Sequence, residues 1–229
     1  MGDHWHRRLL EGKAALFAVV TTVCISIGGL VEIVPLFLIE DPAVANIEPY
    51  TPLEVAGRDI YVREGCYVCH SQMVRPMRAE TLRYGDWSRS AEYAWDRPFQ
   101  LGSRRIGPDL HRVGGKYSNA WHYEHMLDPR ATTPGSVMPP YSWLADNKVD
   151  PADVQASVGA LATLGTPYPD DIVAKVPDLL AQQGGAIVAD LSTAGVTVAP
   201  DAEIVAVIAY LQKLGTQRGK AQVASGGAQ

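Results

Sequence analysis

Cysteine is scarce in this chain of 229 residues, which has only Cys24, Cys66 and Cys69. Three cysteines are too few for a small secreted fold held together by disulfides, so the closely spaced pair needs a chemical explanation. Basic residues are also few, since 20 Lys and Arg against 25 Asp and Glu give a net charge of −5. Binding to phosphates needs concentrated positive charge, and the composition therefore argues against nucleic acid as a partner.

Long apolar runs are limited to residues 14–39, which are polar only at Thr21, Thr22, Ser26 and Glu32. A helix needs about 20 apolar residues to cross a bilayer, and a helix is the only single segment that satisfies its own backbone there. Basic residues precede this run and acidic residues follow it. The positive-inside rule then predicts a cytoplasmic segment over residues 1–13, a single-pass membrane helix, and a domain on the periplasmic side of a bacterial inner membrane.

The residues that follow this run allow a second interpretation, a cleaved signal peptide. Residues 43–45 read Ala-Val-Ala, as at the processing site of a signal peptide, but signal peptides have apolar cores of only roughly 7–15 residues. We therefore favour an uncleaved anchor in contact with membrane lipid.

Glu32 is unusual because a carboxylate at membrane depth is costly. It either faces a partner subunit or reaches the headgroups.

Residues 66–70 read Cys-Tyr-Val-Cys-His, which is the C-x-x-C-H motif of covalent haem attachment. In this motif the two thiols form thioethers with the haem vinyl groups, and the histidine binds the iron from one face. A thioredoxin-like pair would follow a strand, whereas residues 52–65 have a helical pattern. A zinc site needs about four ligands, and the sequence has no second cysteine pair. The motif predicts one covalently bound haem c on Cys66, Cys69 and His70.

The second axial ligand must come from a more distant part of the chain. Met73 and Met77 lie too close to His70 to reach the opposite face, and Met126 lies in a short helical pattern, where methionine usually fills the core. Met138 lies instead in a proline-flanked segment, residues 133–141, that cannot be helical. We predict Met138 as the ligand. The competing candidates are His111, His122 and His125.

Gly107-Pro108-Asp109-Leu110 is a third part of the predicted site. In cytochromes c a Gly-Pro-x-Leu segment crosses the proximal side, where the proline carbonyl accepts the N–H of the ligating histidine. Such a contact fixes the tautomer of the imidazole. By itself Gly-Pro-Asp signals only a turn. Together with the other motifs it predicts Pro108 as part of the haem-binding site.

The remaining pattern predicts an all-α fold. Residues 201–215 form an amphipathic helix that opens at Pro200 or Asp201. As in class I cytochromes c, we expect it to cross the helix of residues 52–65, with Gly57 and Tyr61 against Tyr210 and Leu211.

Helical patterns also cover residues 152–164 and 170–191. The predicted organisation is a linker over 40–50, a cytochrome c domain over 51–215 with insertions near 75–105 and 165–199, and a disordered tail over 216–229. The first insertion is predicted as a solvated loop, with a docking surface as the alternative.

These motifs together resemble the mono-haem subunit (subunit II) of cbb3-type cytochrome c oxidase. The segments that carry the resemblance are GGLVEIVP at 28–35, GCYVCHSQ at 65–72, RIGPDL at 105–110, RVG at 112–114 and MPPY at 138–141. The resemblance implies a single transmembrane helix and a class I cytochrome c domain. It also implies Cys66 and Cys69 as attachment sites, and His70 and Met138 as axial ligands.

The function implied is the transfer of single electrons, without catalytic residues in this chain. The implied partners are a haem-copper catalytic membrane subunit, a second cytochrome c subunit, and a soluble or membrane-bound cytochrome donor. An iron with both axial positions filled has no open site for oxygen, so catalysis belongs to the partner. The alternatives are the small subunit of a nitric oxide reductase, a free-standing membrane cytochrome, and a haem sensor or peroxidase with an open sixth position.

Overall fold

The computed structural model describes residues 4–38 and 46–217. Within these residues the chain forms helices and no β-strand, which confirms the predicted all-α class. The chain divides into two compact units, one up to residue 42 and one from residue 43. The Ala-Val-Ala segment, most of the predicted linker and nearly all of the predicted tail lie outside the described residues.

The N-terminal unit consists of a π-helical turn, Arg7–Glu11, and the long helix α1, Ala14–Leu38. Twenty-two residues of α1, Ala14–Pro35, have a mean hydropathy of 2.3, and none of the most apolar stretch is buried within the chain. An exposed apolar surface of this length is unfavourable in water but suits the interior of a bilayer. The predicted helix over 14–39 is therefore confirmed as one that is long and apolar enough to cross a membrane.

The second unit contains seven α-helices within the described residues. They are α2 Pro52–Arg63, α3 Arg78–Tyr84, α4 Asn119–Leu127, α5 Pro129–Thr132, α6 Pro151–Thr163, α7 Ile172–Thr193 and α8 Glu203–Lys213. The first begins with a capping box, in which the backbone N–H of Thr51 donates to the Glu54 carboxylate at 2.8 Å. Helices α6 and α7 confirm the two helical patterns predicted between residues 152 and 191.

Helices α2 and α8 cross at very close range. A Cβ added at Gly57 would lie 1.9 Å from the carbonyl oxygen of Ala206, so glycine is required at the crossing point. The rings of Tyr61 and Tyr210 pack beside it with centroids 5.4 Å apart. This confirms the predicted crossing of the two helices. The face predicted for α8 is the buried one, with Ile204, Val205, Ile208 and Leu211 at most 3% exposed.

The prediction that α8 opens at Pro200 or Asp201 is wrong by two to three residues. The helix begins at Glu203, after Ala202 at the N-cap position. Asp201 is held elsewhere, because its carbonyl accepts the N–H of Val149 at 2.8 Å and its carboxylate pairs with Lys148 at 2.7 Å. The Glu203 carboxylate pairs with Arg63 at the end of α2.

The prediction of a solvated loop over residues 75–105 is also wrong for its second half. Tyr93 and Asp96 are buried there, at 8% and 5% exposure. The Tyr93 hydroxyl donates to the carbonyl of Gln72 at 2.7 Å, and its ring stacks on His111 with centroids 4.6 Å apart. The segment therefore forms part of the wall around the C-x-x-C-H turn. The alternative of a docking surface stays a prediction.

Candidate haem-binding site

The C-x-x-C-H motif forms a closed turn directly after α2. Gly65 has φ +70°, a left-handed conformation that favours glycine and lets the chain leave the helix sharply. A 3₁₀ turn, Cys66–Val68, follows. The backbone N–H groups of Cys69 and His70 both donate to the carbonyl of Cys66, at 3.2 and 2.9 Å. Both thiols and the imidazole therefore belong to one compact unit of backbone.

The two thiols are half-buried and not joined to each other. Burial raises the pKa of Cys66 to about 12, and the charge of Glu64 acts in the same direction. Redox-active C-x-x-C pairs have a lowered thiol pKa instead, because the thiolate is the nucleophile. This environment, together with the helix that precedes it, disfavours a thioredoxin-like pair.

His70 contacts the Gly-Pro-x-Leu segment of residues 107–110, as the sequence predicts. Its Nδ1 lies 2.8 Å from the carbonyl oxygen of Pro108, and this contact confirms the predicted pairing. A carbonyl can only accept, so Nδ1 carries the proton and Nε2 has a lone pair for a metal. Burial lowers the pKa of His70, although the hydrogen bond to Pro108 opposes that change. The neutral imidazole is the form that binds iron.

Glycine makes this approach possible at two positions. A Cβ added at Gly107 would lie 2.2 Å from Cε1 of His70, which no side chain tolerates. At Gly102, which has φ +62°, a Cβ would lie 3.0 Å from Cα of Ser71 and 3.1 Å from the carbonyl oxygen of His70. Residues 101–108 therefore lie directly against the turn. The N–H of Gly107 donates to the carbonyl of Cys69 at 3.0 Å.

A polar network that the sequence patterns do not reveal joins the two segments. Arg105 donates to the Ser71 hydroxyl, the Met73 carbonyl and the Glu80 carboxylate, each at 2.7 Å. The Asp109 carboxylate accepts from the Ser71 hydroxyl at 2.7 Å and from the Met73 N–H at 2.8 Å. Hydrogen bonding to Arg105 is the main reason why the pKa of Glu80 falls to about 2. The network fixes the segment directly after His70 against the segment that contains Pro108.

Met138 lies in the extended proline-flanked segment predicted for it. Its side chain is half-buried and packs on the core. The segment is attached to α4, because the N–H of Tyr141 donates to the carbonyl of Met126 at 2.7 Å. Burial and the proximity of Cys66 and Cys69 raise the pKa of Tyr141. The segment therefore comes near the cysteine turn, while the role of Met138 as a ligand stays a prediction.

The competing ligands occupy different environments. His111 is buried, and its Nδ1 contacts the hydroxyls of Ser88 and Tyr93 at 2.5 and 3.0 Å. His122 is buried in α4 at 2% exposure. His125 contacts the Thr132 hydroxyl at 2.6 Å, and the charge of His70 contributes to lowering its pKa. His125 is therefore the histidine that competes with Met138 as a candidate axial ligand, and an experiment on Met138 should include a variant of His125. Met126 fills the core, as predicted.

The residues of this site fit a haem. Two thiols and a neutral imidazole belong to one turn, and Nε2 of His70 has no hydrogen-bond partner among the described residues. Apolar side chains adjacent to the predicted ligands are exposed in this structure. They are Tyr67 at 39%, Val68 at 44%, Ile106 at 62% and Val137 at 79%. A flat apolar group held at this turn would cover such surface.

Comparison with known protein families matches residues 6–218 to the family described as "Cytochrome C oxidase, mono-heme subunit/FixO". The chain belongs to this family. The match covers helix α1 and the whole described domain, and it confirms the resemblance drawn from the motifs. No curated protein matches the chain. The mono-haem subunit is a membrane-associated component of a cytochrome oxidase complex, so it has one haem and partner subunits.

Proposed function

We propose that this mono-haem subunit holds haem c through thioethers to Cys66 and Cys69, with His70 and Met138 as axial ligands. In this role it relays single electrons from a cytochrome donor to the catalytic subunit of a cbb3-type haem-copper oxidase. The observation that carries the proposal is the 2.8 Å contact between His70 and Pro108, directly after the C-x-x-C turn. A bound haem supplies the one-electron redox chemistry.

The residues of the chain prepare the site for that group. The Pro108 carbonyl fixes the His70 tautomer, and hydrogen bonding to Nδ1 makes Nε2 a better ligand. Burial lowers the pKa of His70 and so favours its neutral imidazole. The thioether of Met138 is an uncharged, soft ligand that favours ferrous iron, so it raises the reduction potential. If His70 and Met138 both held the iron, the bound group would have no position left for oxygen and would supply electron transfer only.

The proposed arrangement places α1 in the inner membrane of a bacterium, in contact with lipid, with the haem domain on the periplasmic side. Its proposed parts are a cytoplasmic segment 1–13, a membrane helix 14–39, a linker 40–50, a cytochrome c domain 51–215 and a tail 216–229. The charge pattern around the apolar run supports this orientation. The partners are a haem-copper catalytic subunit and a second cytochrome c subunit.

The test is expression of the full chain in a host that matures c-type cytochromes, followed by a haem stain on a denaturing gel. We expect the wild type and Cys24→Ala to stain, because Cys24 lies in α1, and Cys66→Ala/Cys69→Ala to remain unstained. An unstained wild-type band would refute covalent attachment. Purification in mild detergent tests the partner separately, since a cbb3-type catalytic subunit contributes copper and that of a nitric oxide reductase does not.

A further inference from the structure

A polar crevice enters the second unit beside helix α8. Exposed Glu48 and half-buried Gln217 line it together with Gln72, Asp96 and His111, which are at most 6% exposed. It therefore leads from the surface to buried polar groups. The space that it offers to water is about 30 Å³. A single water needs roughly 10–15 Å³ and several polar partners, so the crevice accommodates water.

Asp96 shares a buried arginine with a second carboxylate. Its Oδ1 lies 3.6 Å from Nε of Arg58, and neither atom has a hydrogen-bond partner among the described residues. Arg58 also lies 3.9 Å from the carboxylate of Asp59, whose side chain is 47% exposed. The guanidinium thus keeps one carboxylate neighbour when Asp96 is neutral. This arrangement lets Asp96 change its charge without leaving a buried arginine uncompensated.

The surroundings of Asp96 favour proton binding near neutral pH. Burial raises its pKa to about 6, although the charge of Arg58 and an interaction with Tyr50 act in the opposite direction. Several titratable and charged groups surround Asp96. They line the crevice or interact with Asp96 or Arg58, and they are Arg58, Asp59, Tyr50, Tyr210, Glu48, Glu92, His111 and Lys213. A modest change in the local charge therefore shifts the protonation of Asp96 strongly.

Asp96 is electrostatically connected to the haem-binding turn. Gln72 lines the crevice together with Asp96 and is two residues after His70. Tyr210 is completely buried; burial is the main cause of its raised pKa, and the charge of Asp96 acts in the same direction. Its hydroxyl donates to Oε1 of Gln72 at 3.1 Å, while Nε2 of Gln72 has no partner among the described residues. Interactions through such an interior are screened far less than those through water. An electron added at the turn therefore influences the carboxyl.

We propose that Asp96 is a redox-linked proton site, where the carboxylate binds one proton from solvent when the subunit accepts one electron. The inference rests on the proposed function, because the electron comes from the cytochrome donor and resides on the haem held by Cys66, Cys69 and His70. One O–H bond forms at Asp96, and water in the crevice delivers the proton. Oxidation of the subunit reverses both changes, so the net charge of the interior stays nearly constant.

The test measures the midpoint potential of the full-length, haem-loaded subunit in detergent between pH 5 and 9. In the wild type, the potential falls as the pH rises above about 6, where oxidised Asp96 loses its proton. The slope approaches 59 mV per pH unit, which corresponds to one proton per electron. Asp96→Asn removes the slope. Asp153→Asn makes the same chemical change at an exposed position in the first turn of α6 and retains it.

A second measurement covers the case in which Asp96→Asn does not fold. The infrared difference spectrum of the wild type on reduction gains the carbonyl stretch of a protonated carboxyl, which shifts in D₂O. A flat potential in the wild type, a slope that survives in folded Asp96→Asn, or the absence of this band overturns the proposal. Failure of the proposed function gives a different result from failure of this inference. A chain without haem gives no redox titration, whereas a haem-loaded chain without the proton site gives a potential that does not depend on pH.

Discussion

Gly107 supports the imidazole of His70 so closely that a Cβ would stand 2.2 Å from the ring. We expect Gly107→Ala to push the ring from the Pro108 carbonyl and to weaken its bond to iron. Overpacking of this kind costs about 1–3 kcal/mol. The haem stays attached through the cysteines, while its absorption spectrum changes and its potential falls. Spectroelectrochemistry and urea unfolding measure both effects.

The matched control for this substitution is Gly185→Ala in α7. A Cβ at Gly185 meets no atom of the described residues within 4 Å. Because alanine is better than glycine in a helix by about 1 kcal/mol, the control is neutral or slightly stabilising and leaves the spectrum unchanged. Equal behaviour of the two variants would show that the contact with His70 has no role.

Replacement of Met138 tests the second axial ligand. In Met138→Ala the haem stain on a denaturing gel persists, because the thioethers do not involve this residue. The ferrous protein now binds carbon monoxide, since one coordination position is open, and the potential falls. Met77→Ala, at a methionine that is 47% exposed, changes neither property. If His125→Ala opens the iron and Met138→Ala does not, the ligand is His125.

Arg105 stabilises the segment directly after His70 through Ser71 and Met73. Its side chain is 21% exposed, while those of its partners Glu80 and Asp109 are at 7% and 0%. Arg105→Leu leaves two buried carboxylates without their shared cation, so we expect a loss of roughly 2–4 kcal/mol in the free energy of unfolding. Arg104→Leu makes the same change at an exposed neighbour and costs less than about 0.5 kcal/mol. Similar urea midpoints for the two would contradict this role.

Acidification destabilises the domain through its buried histidines. Burial lowers the pKa of both His111 and His122 to about 4 from an ordinary value of 6.5. Between pH 6.5 and 4 the unfolded chain therefore binds more protons, and the stability falls as the pH falls. Asp96 acts in the opposite direction, because its pKa is raised from 3.8 to about 6. Among these three groups the two histidines outweigh the one carboxyl, so their combined effect on acidification is a loss of stability.

The variant His122→Gln isolates one of these contributions. It reduces the loss of stability between pH 6.5 and 5 by roughly 1–2 kcal/mol, the amount that linkage assigns to one buried histidine. Urea unfolding at the two pH values measures this difference. His4→Gln replaces an exposed histidine and leaves the dependence on pH as it is in the wild type. An unchanged dependence in His122→Gln would assign the acid sensitivity to other groups.

The helices and the turn around His70 could be predicted because their signals are local. The apolar face of α8 and the C-x-x-C-H and Gly-Pro-x-Leu motifs each lie within a few residues. The contact of Gly57 with Tyr210 followed from the expected crossing of two such helices, whereas the closer approach of Gly57 to the Ala206 carbonyl was not predicted. Local patterns thus determine the elements and the best-marked contacts between them.

The polar networks could not be predicted, because nothing in the spacing of a sequence pairs one arginine with one carboxylate. Arg105 reaches Glu80 across 25 positions and Ser71 across 34. Tyr93 and Asp96 lie in a segment rich in arginine that reads as solvated, yet they are buried, because Tyr93 stacks on His111 and Asp96 pairs with Arg58. Such pairings depend on the tertiary structure, which brings distant residues together.

The pairing of α2 with α8 also determines when the domain can close. Arg63 and Glu203 are separated by 140 positions, so the helix that completes the core is synthesised long after the C-x-x-C-H turn. Contacts between such distant residues form late, because the long loop must close first. Until then Cys66 and Cys69 remain on an open chain, where the proposed thioethers can form. If haem is attached as proposed, the late pairing of α2 with α8 therefore leaves time for attachment before the fold encloses the cofactor.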